Sequence, residues 1–119
     1  MVFFRNAGCT PNTLIVKGNE KERMSFLVSE VKAPKNYDGS LYIRQTAEEI
    51  FLLFETRWSP DEHWFQEACE KFPTLEIELI HVEENEGIAG RMWNDGGNVK
   101  SILAYRDEDR HAYNQIVYS

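Results

Sequence analysis

The spacing of apolar and polar residues predicts two amphipathic helices and six short strands. Helical spacing of i, i+3, i+4 and i+7 occurs twice along the chain. The first apolar face consists of Met24, Leu27, Val28 and Val31, and the second of Phe65, Ala68, Cys69 and Phe72. Asn19 is the predicted N-cap of the first helix. The second helix follows a capping box, with Ser59 as N-cap, Pro60 at N1 and Glu62 at N3.

The predicted strands are short runs rich in β-branched and aromatic residues, at residues 13–17, 41–44, 50–54, 75–82, 88–93 and 99–105. Residues 50–54 are apolar throughout, which is typical of a central strand covered on both faces. Residues 75–82 alternate instead, with Leu75, Ile77, Leu79 and His81 on the buried side. Turn residues at 84–87 and 94–97 predict two hairpins, since glycine supplies φ > 0. Residues 107–109 open a short terminal helix.

This order of elements, β-α-β-β-α-β followed by a β-hairpin, predicts an α+β fold. It is the ferredoxin-like split β-α-β pattern, in which the hairpin extends the antiparallel sheet at the C-terminal side. Right-handed crossovers place strand one between strands three and four, which predicts the strand order 2-3-1-4-5-6. Both helices then cover one face of the sheet and leave the other uncovered. No repeat or linker divides the chain, so residues 1–119 are expected to form a single domain.

Acidic residues are concentrated in the middle of the chain. Residues 46–86 contain twelve acids but only Arg57 and Lys71 as bases, within a chain whose net charge is −7. Phosphate backbones are attracted to clustered Lys and Arg, so direct nucleic-acid binding is disfavoured. Solubility alone is the alternative reason for the acidity. The candidate partner-binding residues are Glu76, Glu78, Glu83, Glu84 and Glu86.

No catalytic residue, metal site or cofactor is predicted. Cys9 and Cys69 are the only cysteines, whereas an iron–sulfur cluster needs about four thiolates. A zinc site at His81, Glu83 and Glu55 requires the fold to bring these residues together, and a buried histidine beside solvated glutamates is favoured instead. The sequence contains no GxSxG, P-loop or GxGxxG motif, so an enzyme is disfavoured.

Aromatic residues and apolar runs bear on location and packing. Trp58 precedes the second helix and is expected to pack between the strand end and the helix start. The alternative for the aromatic residues is a surface on which bases stack. No run approaches the roughly 20 apolar residues of a membrane span, and no signal peptide is evident. A soluble cytoplasmic protein is therefore expected.

Five short segments resemble a known family: Asn12-Thr13-Leu14-Ile15-Val16-Lys17-Gly18, Phe54-Glu55-Thr56-Arg57-Trp58-Ser59-Pro60, Phe72-Pro73, His81-Val82-Glu83-Glu84 and Gly87-Ile88-Ala89-Gly90. Their order and spacing, over roughly residues 12–95, resemble the YubB-like ferredoxin-like domain family of plasmid and phage proteins. That family has no assigned function. The resemblance implies a mobile genetic element in a bacterial cytoplasm, and it implies no catalytic residue or cofactor.

The leading functional expectation is a small non-enzymatic inhibitor or adaptor that occupies a host protein through an acidic surface. Such a surface imitates a nucleic-acid phosphate track or pairs with a Lys/Arg-rich groove, as a counter-defence protein does. One alternative is a ligand-binding domain or small enzyme that uses the uncovered sheet face. Another is a homodimer that buries this face against a second copy.

Overall fold

The computed structural model describes residues 9–30 and 37–118 of the chain. Its elements in chain order are β1 (Cys9–Lys17), α1 (Glu20–Glu30), β2 (Tyr37–Gln45), β3 (Glu49–Arg57), α2 (Glu62–Lys71), β4 (Glu76–Glu83), a 3-10 turn (Glu84–Glu86), β5 (Ile88–Asp95), β6 (Asn98–Tyr105) and α3 (Arg110–Val117). The longest of these helices has 11 residues, and none in the described ranges is long and apolar enough to cross a membrane.

The six strands form one antiparallel sheet in the order β2-β3-β1-β4-β5-β6, which confirms the predicted topology. Residues of α1 and α2 share a single hydrophobic core with alternate residues of β1, β3, β4 and β5. Phe26 of α1 and Phe65 of α2 are both fully buried in it. The fold is therefore the predicted ferredoxin-like α+β fold with a C-terminal strand extension.

β1 is four residues longer than predicted, because it begins at Cys9 rather than at Thr13. The prediction stopped short of Pro11, whose missing N–H normally keeps proline out of central strands. β1 pairs with β3 from Cys9 onward, but its described pairing with β4 begins only at Asn12. Pro11 thus lies where β1 has one paired neighbour, a position that tolerates proline.

The predicted apolar face of α1 is wrong at two of its four residues, whereas Leu27 is partly buried and packs against the core as predicted. Met24 and Val28 are exposed, Val28 by 80%, and Val31 lies outside the described residues. The buried side chains are Arg23, Phe26 and Glu30. The helix is therefore rotated by about one residue position, or roughly 100°, from the predicted orientation.

Long-range partners explain why α1 buries two charged residues. Arg23 Nη2 donates a 2.9 Å hydrogen bond to the carbonyl of Ala47, in the β2–β3 turn. Glu30 accepts a 3.1 Å hydrogen bond from Trp64 Nε1 and lies 3.5 Å from Lys71 Nζ, both on α2. Buried charges are tolerated when they are paired in this way. Hydropathy spacing along α1 carries no information about such partners.

The predicted capping box of α2 is also wrong, since the helix starts two residues later. Asp61 is the N-cap, and its Oδ1 accepts a 3.0 Å hydrogen bond from the Trp64 backbone N–H. Ser59 lies two residues before this cap. A turn centred on Trp58 separates the end of β3 from the helix and delays its start.

Asp61→Ala is expected to lower the free energy of unfolding by about 1 kcal/mol, because the Trp64 N–H loses its side-chain acceptor. Asp109 caps α3 through the Ala112 N–H in the same manner, so Asp109→Ala is the matched comparison. Urea denaturation measures both changes. A larger loss in Ser59→Ala than in Asp61→Ala would contradict the cap assignment.

The terminal helix α3 packs on the face of the sheet opposite to α1 and α2. It forms a second, smaller hydrophobic cluster with β5 and β6, made of Ala89, Ala104, Tyr113 and Ile116. Since α3 covers only this corner, side chains such as Ile15, Phe51 and Trp93 are only half-buried on the rest of that face. We call this remaining surface the open face.

Candidate functional site

Three chain connections meet at one end of the sheet. Cys9 at the start of β1 pairs with Arg57 at the end of β3. Glu83 at the end of β4 pairs with Ile88, and Ile88 pairs in turn with Tyr105 at the end of β6. The β3–α2, β4–β5 and β6–α3 connections therefore converge at this end.

Apart from the helix caps Asp61 and Asp109, whose carboxylates accept hydrogen bonds from backbone N–H groups, six acidic residues lie in or beside these connections: Glu62, Glu83, Glu84, Glu86, Asp107 and Glu108. We call this set the acidic end. Glu83, Glu84 and Glu86 belong to the predicted partner-binding residues. Asp107 and Glu108 were not predicted from the sequence, because residues 87–119 have no net charge when charge is counted along the chain. Only the pairing of β5 with β6 places these two acids beside the others.

The carboxylates of the acidic end interact most strongly at Glu83. Partial burial raises the pKa of Glu83, and the negative charges of Glu86 and Glu62 raise it further. These charges come from β4, from the 3-10 turn and from the first turn of α2. Like charges gathered from three elements repel one another, and carboxylates with raised pKa values are common at functional sites.

Three arginines border the acidic end, namely Arg57, Arg106 and Arg110. Arg106 is held in place by several contacts. Its Nη1 donates a 3.3 Å hydrogen bond to the Glu84 carbonyl, and its guanidinium lies 5.9 Å from the centre of the Tyr113 ring. Among the described residues, these six carboxylates outnumber the three guanidinium groups, so this part of the acidic end carries a net negative charge.

The other two predicted acids, Glu76 and Glu78, lie at the opposite end of β4. About 24 Å of extended strand separates Glu76 from Glu83. Glu76 pairs with Lys17 across the β1–β4 ladder, and Glu78 Oε2 lies 3.3 Å from Arg91 Nε. The five predicted residues therefore divide between two regions, one at the acidic end and one on the open face.

Trp58 occupies a strained turn between β3 and α2. Its φ angle is 71°, a left-handed conformation that costs about 1–2 kcal/mol for a residue with a Cβ. The Ser59 N–H donates to the Arg57 carbonyl across this turn at 2.9 Å, and Thr10 Oγ1 donates to the Trp58 carbonyl at 2.8 Å. The Trp58 side chain is 69% exposed, so the expectation that it packs between strand and helix is wrong. Strain held in place by tertiary contacts is typical of functional sites.

A buried polar cluster lies at this same end of β1 and β3. Asn12 is completely buried, and its Nδ2 donates 2.9 Å hydrogen bonds to the Thr10 carbonyl and to Thr56 Oγ1. These two bonds fix the orientation of the amide. Asn12 Oδ1 is left buried without a hydrogen-bond partner within the described ranges.

His81 lies directly opposite Asn12 in the β1–β4 ladder and is only 2% exposed, as the alternation of β4 predicted. Gly90 is its partner in β5, and a Cβ at that position would overlap the imidazole. The ring thus occupies space that only glycine leaves free. Burial lowers the pKa of His81 to about 4, so the ring is neutral at pH 7. Its buried Nδ1 lacks a hydrogen-bond partner in the described part of the chain.

We expect stability to fall as the pH is lowered from about 6.5 towards 4. His81 takes up a proton near pH 6.5 in the unfolded chain but only near pH 4 in the folded one. The unfolded state therefore binds more protons in this window, which favours unfolding at the lower pH. His81→Gln should remove this part of the pH dependence, as measured by urea denaturation at pH 7 and pH 5.

The matched control for this prediction is His111→Gln, because His111 is exposed on α3. Its loss of stability between the two pH values should equal that of the unmodified chain. If His81→Gln behaved like His111→Gln, the buried imidazole would not be the group that titrates.

The fold keeps the three candidate zinc ligands apart and buries the Cys69 thiol. Strand alternation places Glu55, which is itself buried, on the sheet face opposite to that of His81 and Glu83, with β1 between them. The described residues contain no cluster of three His, Cys, Asp or Glu side chains suited to a metal ion. Cys69 is fully buried, and burial together with the charge of Glu70 raises its pKa to about 12. This thiol therefore stays protonated at neutral pH.

The sheet order, with α1 and α2 on one face, defines a ferredoxin-like α+β domain. The chain belongs to the family described as the ferredoxin-like domain in Api92-like protein, whose model matches residues 37–116, more than half of the chain. The match runs from the first residue of β2 into α3, so it includes every residue of the acidic end. No curated protein and no solved structure matches the chain.

Proposed function

We propose that this chain is a non-enzymatic binding protein whose acidic end docks onto a Lys/Arg-rich surface of a host protein and inhibits it. The observation that carries the proposal is the convergence of six carboxylates from three separate connections at one end of the sheet. The raised pKa of Glu83, caused by burial and by the charges of Glu86 and Glu62, supports it. A basic partner would relieve this repulsion on binding.

Trp58 supplies the second element of the proposed interface. Tryptophan is enriched among the residues that contribute most to binding at protein interfaces, and here its side chain is exposed at the same sheet end. The bond from Thr10 Oγ1 holds its backbone in place before any partner arrives, which reduces the conformational entropy lost on docking. His81 lies two residues before Glu83 on the same face of β4, and its buried Nδ1 has no hydrogen-bond partner among the described residues.

The charge pattern favours a protein partner over a nucleic acid. A phosphate backbone would be repelled by the acidic end, whereas a groove that normally binds nucleic acid would be attracted to it. The resemblance to YubB-like plasmid and phage proteins supports a partner in the cytoplasm of a bacterial host. The high pKa of the Cys69 thiol, caused mainly by burial, and the burial of His81 support a binding role rather than a catalytic one.

The test is a charge reversal at the acidic end, Glu83→Lys with Glu84→Lys and Glu86→Lys, measured against octa-arginine by stopped-flow at low and high salt. The Debye length is about 30 Å at 0.01 M salt and about 3 Å at 1 M. Association at low salt should become at least tenfold slower, and the difference should disappear at high salt. Glu84 and Glu86 are exposed, so reversing each should change the free energy of unfolding by no more than about 0.5 kcal/mol. Urea denaturation checks that the variant that also carries Glu83→Lys is folded.

The matched control reverses three acids at the opposite end of the fold, Glu48→Lys, Glu70→Lys and Asp95→Lys. All three are exposed, and the change in net charge is identical. Equal slowing in both variants would show that net charge alone attracts the peptide, and the acidic end would then not be a binding site. Trp58→Ala should weaken binding of a host partner more than thirtyfold, as expected for an anchor residue.

A further inference from the structure

The open face carries a depression of about 510 Å³ between β1, β4, β5 and β6. Its lining includes Ile15, Lys17, Glu78, Arg91, Trp93 and Ile102. This volume is within the range of about 300–1,000 Å³ that is usual for small-molecule sites. The depression lies near the opposite end of β4 from the acidic end, so the two regions are separate surfaces.

Apolar side chains form the floor of the depression. Ile15 and Trp93 flank Glu78, since each pairs with it from a neighbouring strand. Ile102 pairs with Arg91 across the β5–β6 ladder and is 48% exposed. A flat ring or a branched aliphatic group can lie on this floor and remove it from water, which favours binding.

The charged groups around this floor balance one another. Arg91 Nε lies 3.3 Å from Glu78 Oε2, close enough for an ion pair, yet this buried nitrogen makes no hydrogen bond within the described residues. Lys17 pairs with Glu76 in the β1–β4 ladder. The depression therefore presents two cations and two carboxylates on a chain whose net charge is −7.

We infer that this depression binds a zwitterionic α-amino acid with an aromatic or branched apolar side chain. The ligand carboxylate contacts Arg91 and Lys17, and its ammonium group contacts Glu78 and Glu76. Its side chain lies on Trp93 and Ile102. An anion such as a nucleotide would meet two carboxylates and a polycation would meet two basic side chains, so only a ligand with both charges is matched throughout.

The first experiment compares L-phenylalanine with three analogues by calorimetric titration. N-acetylphenylalanine lacks the ammonium charge, phenylalaninamide lacks the carboxylate, and glycine lacks the side chain. Phenylalanine should bind saturably, and each analogue should bind at least about tenfold more weakly because one matched group is missing.

Single substitutions of the charged lining residues should weaken binding only of those compounds that carry the opposite charge. Arg91→Gln should weaken binding of phenylalanine and of N-acetylphenylalanine at least fivefold but should not weaken binding of phenylalaninamide, since Glu78 loses its neighbouring cation. Glu78→Gln should weaken binding of phenylalanine and of phenylalaninamide at least fivefold but should not weaken binding of N-acetylphenylalanine. Lys17→Gln should have the same effect as Arg91→Gln, and because Lys17 is exposed the substitution should not disturb folding. Arg44→Gln is the matched control, since Arg44 lies on β2 outside the depression.

Two results would overturn the inference. One is the absence of saturable phenylalanine binding up to about 10 mM, or binding that is unchanged in all three variants of the depression, Arg91→Gln, Glu78→Gln and Lys17→Gln. The other is a concentration-dependent dimer in sedimentation velocity that Ile102→Asp dissociates and phenylalanine does not, since a second copy would then occupy the open face.

Discussion

Replacing Phe65 with alanine is expected to lower the free energy of unfolding by about 3–5 kcal/mol. Phe65 is fully buried in the core between α2 and the sheet, and the Trp64 ring centre lies 6.3 Å from its own. Truncation removes the contacts of the ring and leaves a cavity that the rigid sheet cannot fill. Chemical denaturation at pH 7 measures the loss.

The matched control is Val28→Ala, an apolar truncation on α1 at a side chain that is 80% exposed. It should change the free energy of unfolding by no more than about 0.5 kcal/mol. A near-neutral Phe65→Ala, or a Val28→Ala that is equally destabilising, would show that the helices pack on the sheet in another orientation.

Gly90→Ala is expected to destabilise the protein by about 3 kcal/mol, although alanine is a small residue. The added Cβ would overlap the His81 imidazole and would lie 2.8 Å from Leu103 Cδ2. The exposed Leu103 side chain can turn away, but His81 is buried in β4 and cannot move without disturbing the core. The cost is therefore steric rather than conformational.

A double-mutant cycle with His81 tests whether steric overlap, rather than backbone conformation, causes the loss of stability in Gly90→Ala. His81→Ala in the Gly90→Ala background should recover part of the loss, with a coupling energy of about 1–3 kcal/mol. Gly96→Ala is the contrasting variant, since its Cβ would meet no atom within 4 Å but its φ is +65°. It should cost only the price of a left-handed conformation, about 1–2 kcal/mol. If the His81 and Gly90 substitutions were additive, the imidazole would not occupy the space above Gly90.

The hairpins and the sheet order could be predicted because their signals are local. Gly96 and Gly97 have φ values of 65° and 100°, which is what a two-residue turn between β5 and β6 requires. The alternation that buries Ile77, Leu79 and His81 in β4 is likewise visible within eight residues. Short spacings and turn residues act over a few positions, so they fix the elements and, with crossover handedness, their order.

Helix orientation could not be predicted in the same way. Spacing along α1 indicated Met24 and Val28 as core residues, yet Arg23 and Glu30 are buried in their place. Their partners Ala47 and Trp64 are 24 and 34 residues distant in the chain. A charged side chain becomes a core residue only when such a partner is in reach, and that depends on which elements meet.

The candidate site likewise has a part that the sequence indicated and a part that only the tertiary structure shows. The chain alone indicated an acidic segment and named Glu83, Glu84 and Glu86, because charge composition is a property of sequence. The tertiary structure brought Glu62, Asp107 and Glu108 beside them and moved Glu76 and Glu78 to another surface, since strand pairing decides which connections share an end. Local spacing thus determined the elements of this protein, and long-range pairing determined its surfaces, because electrostatic and packing energies depend on distance in space rather than along the chain.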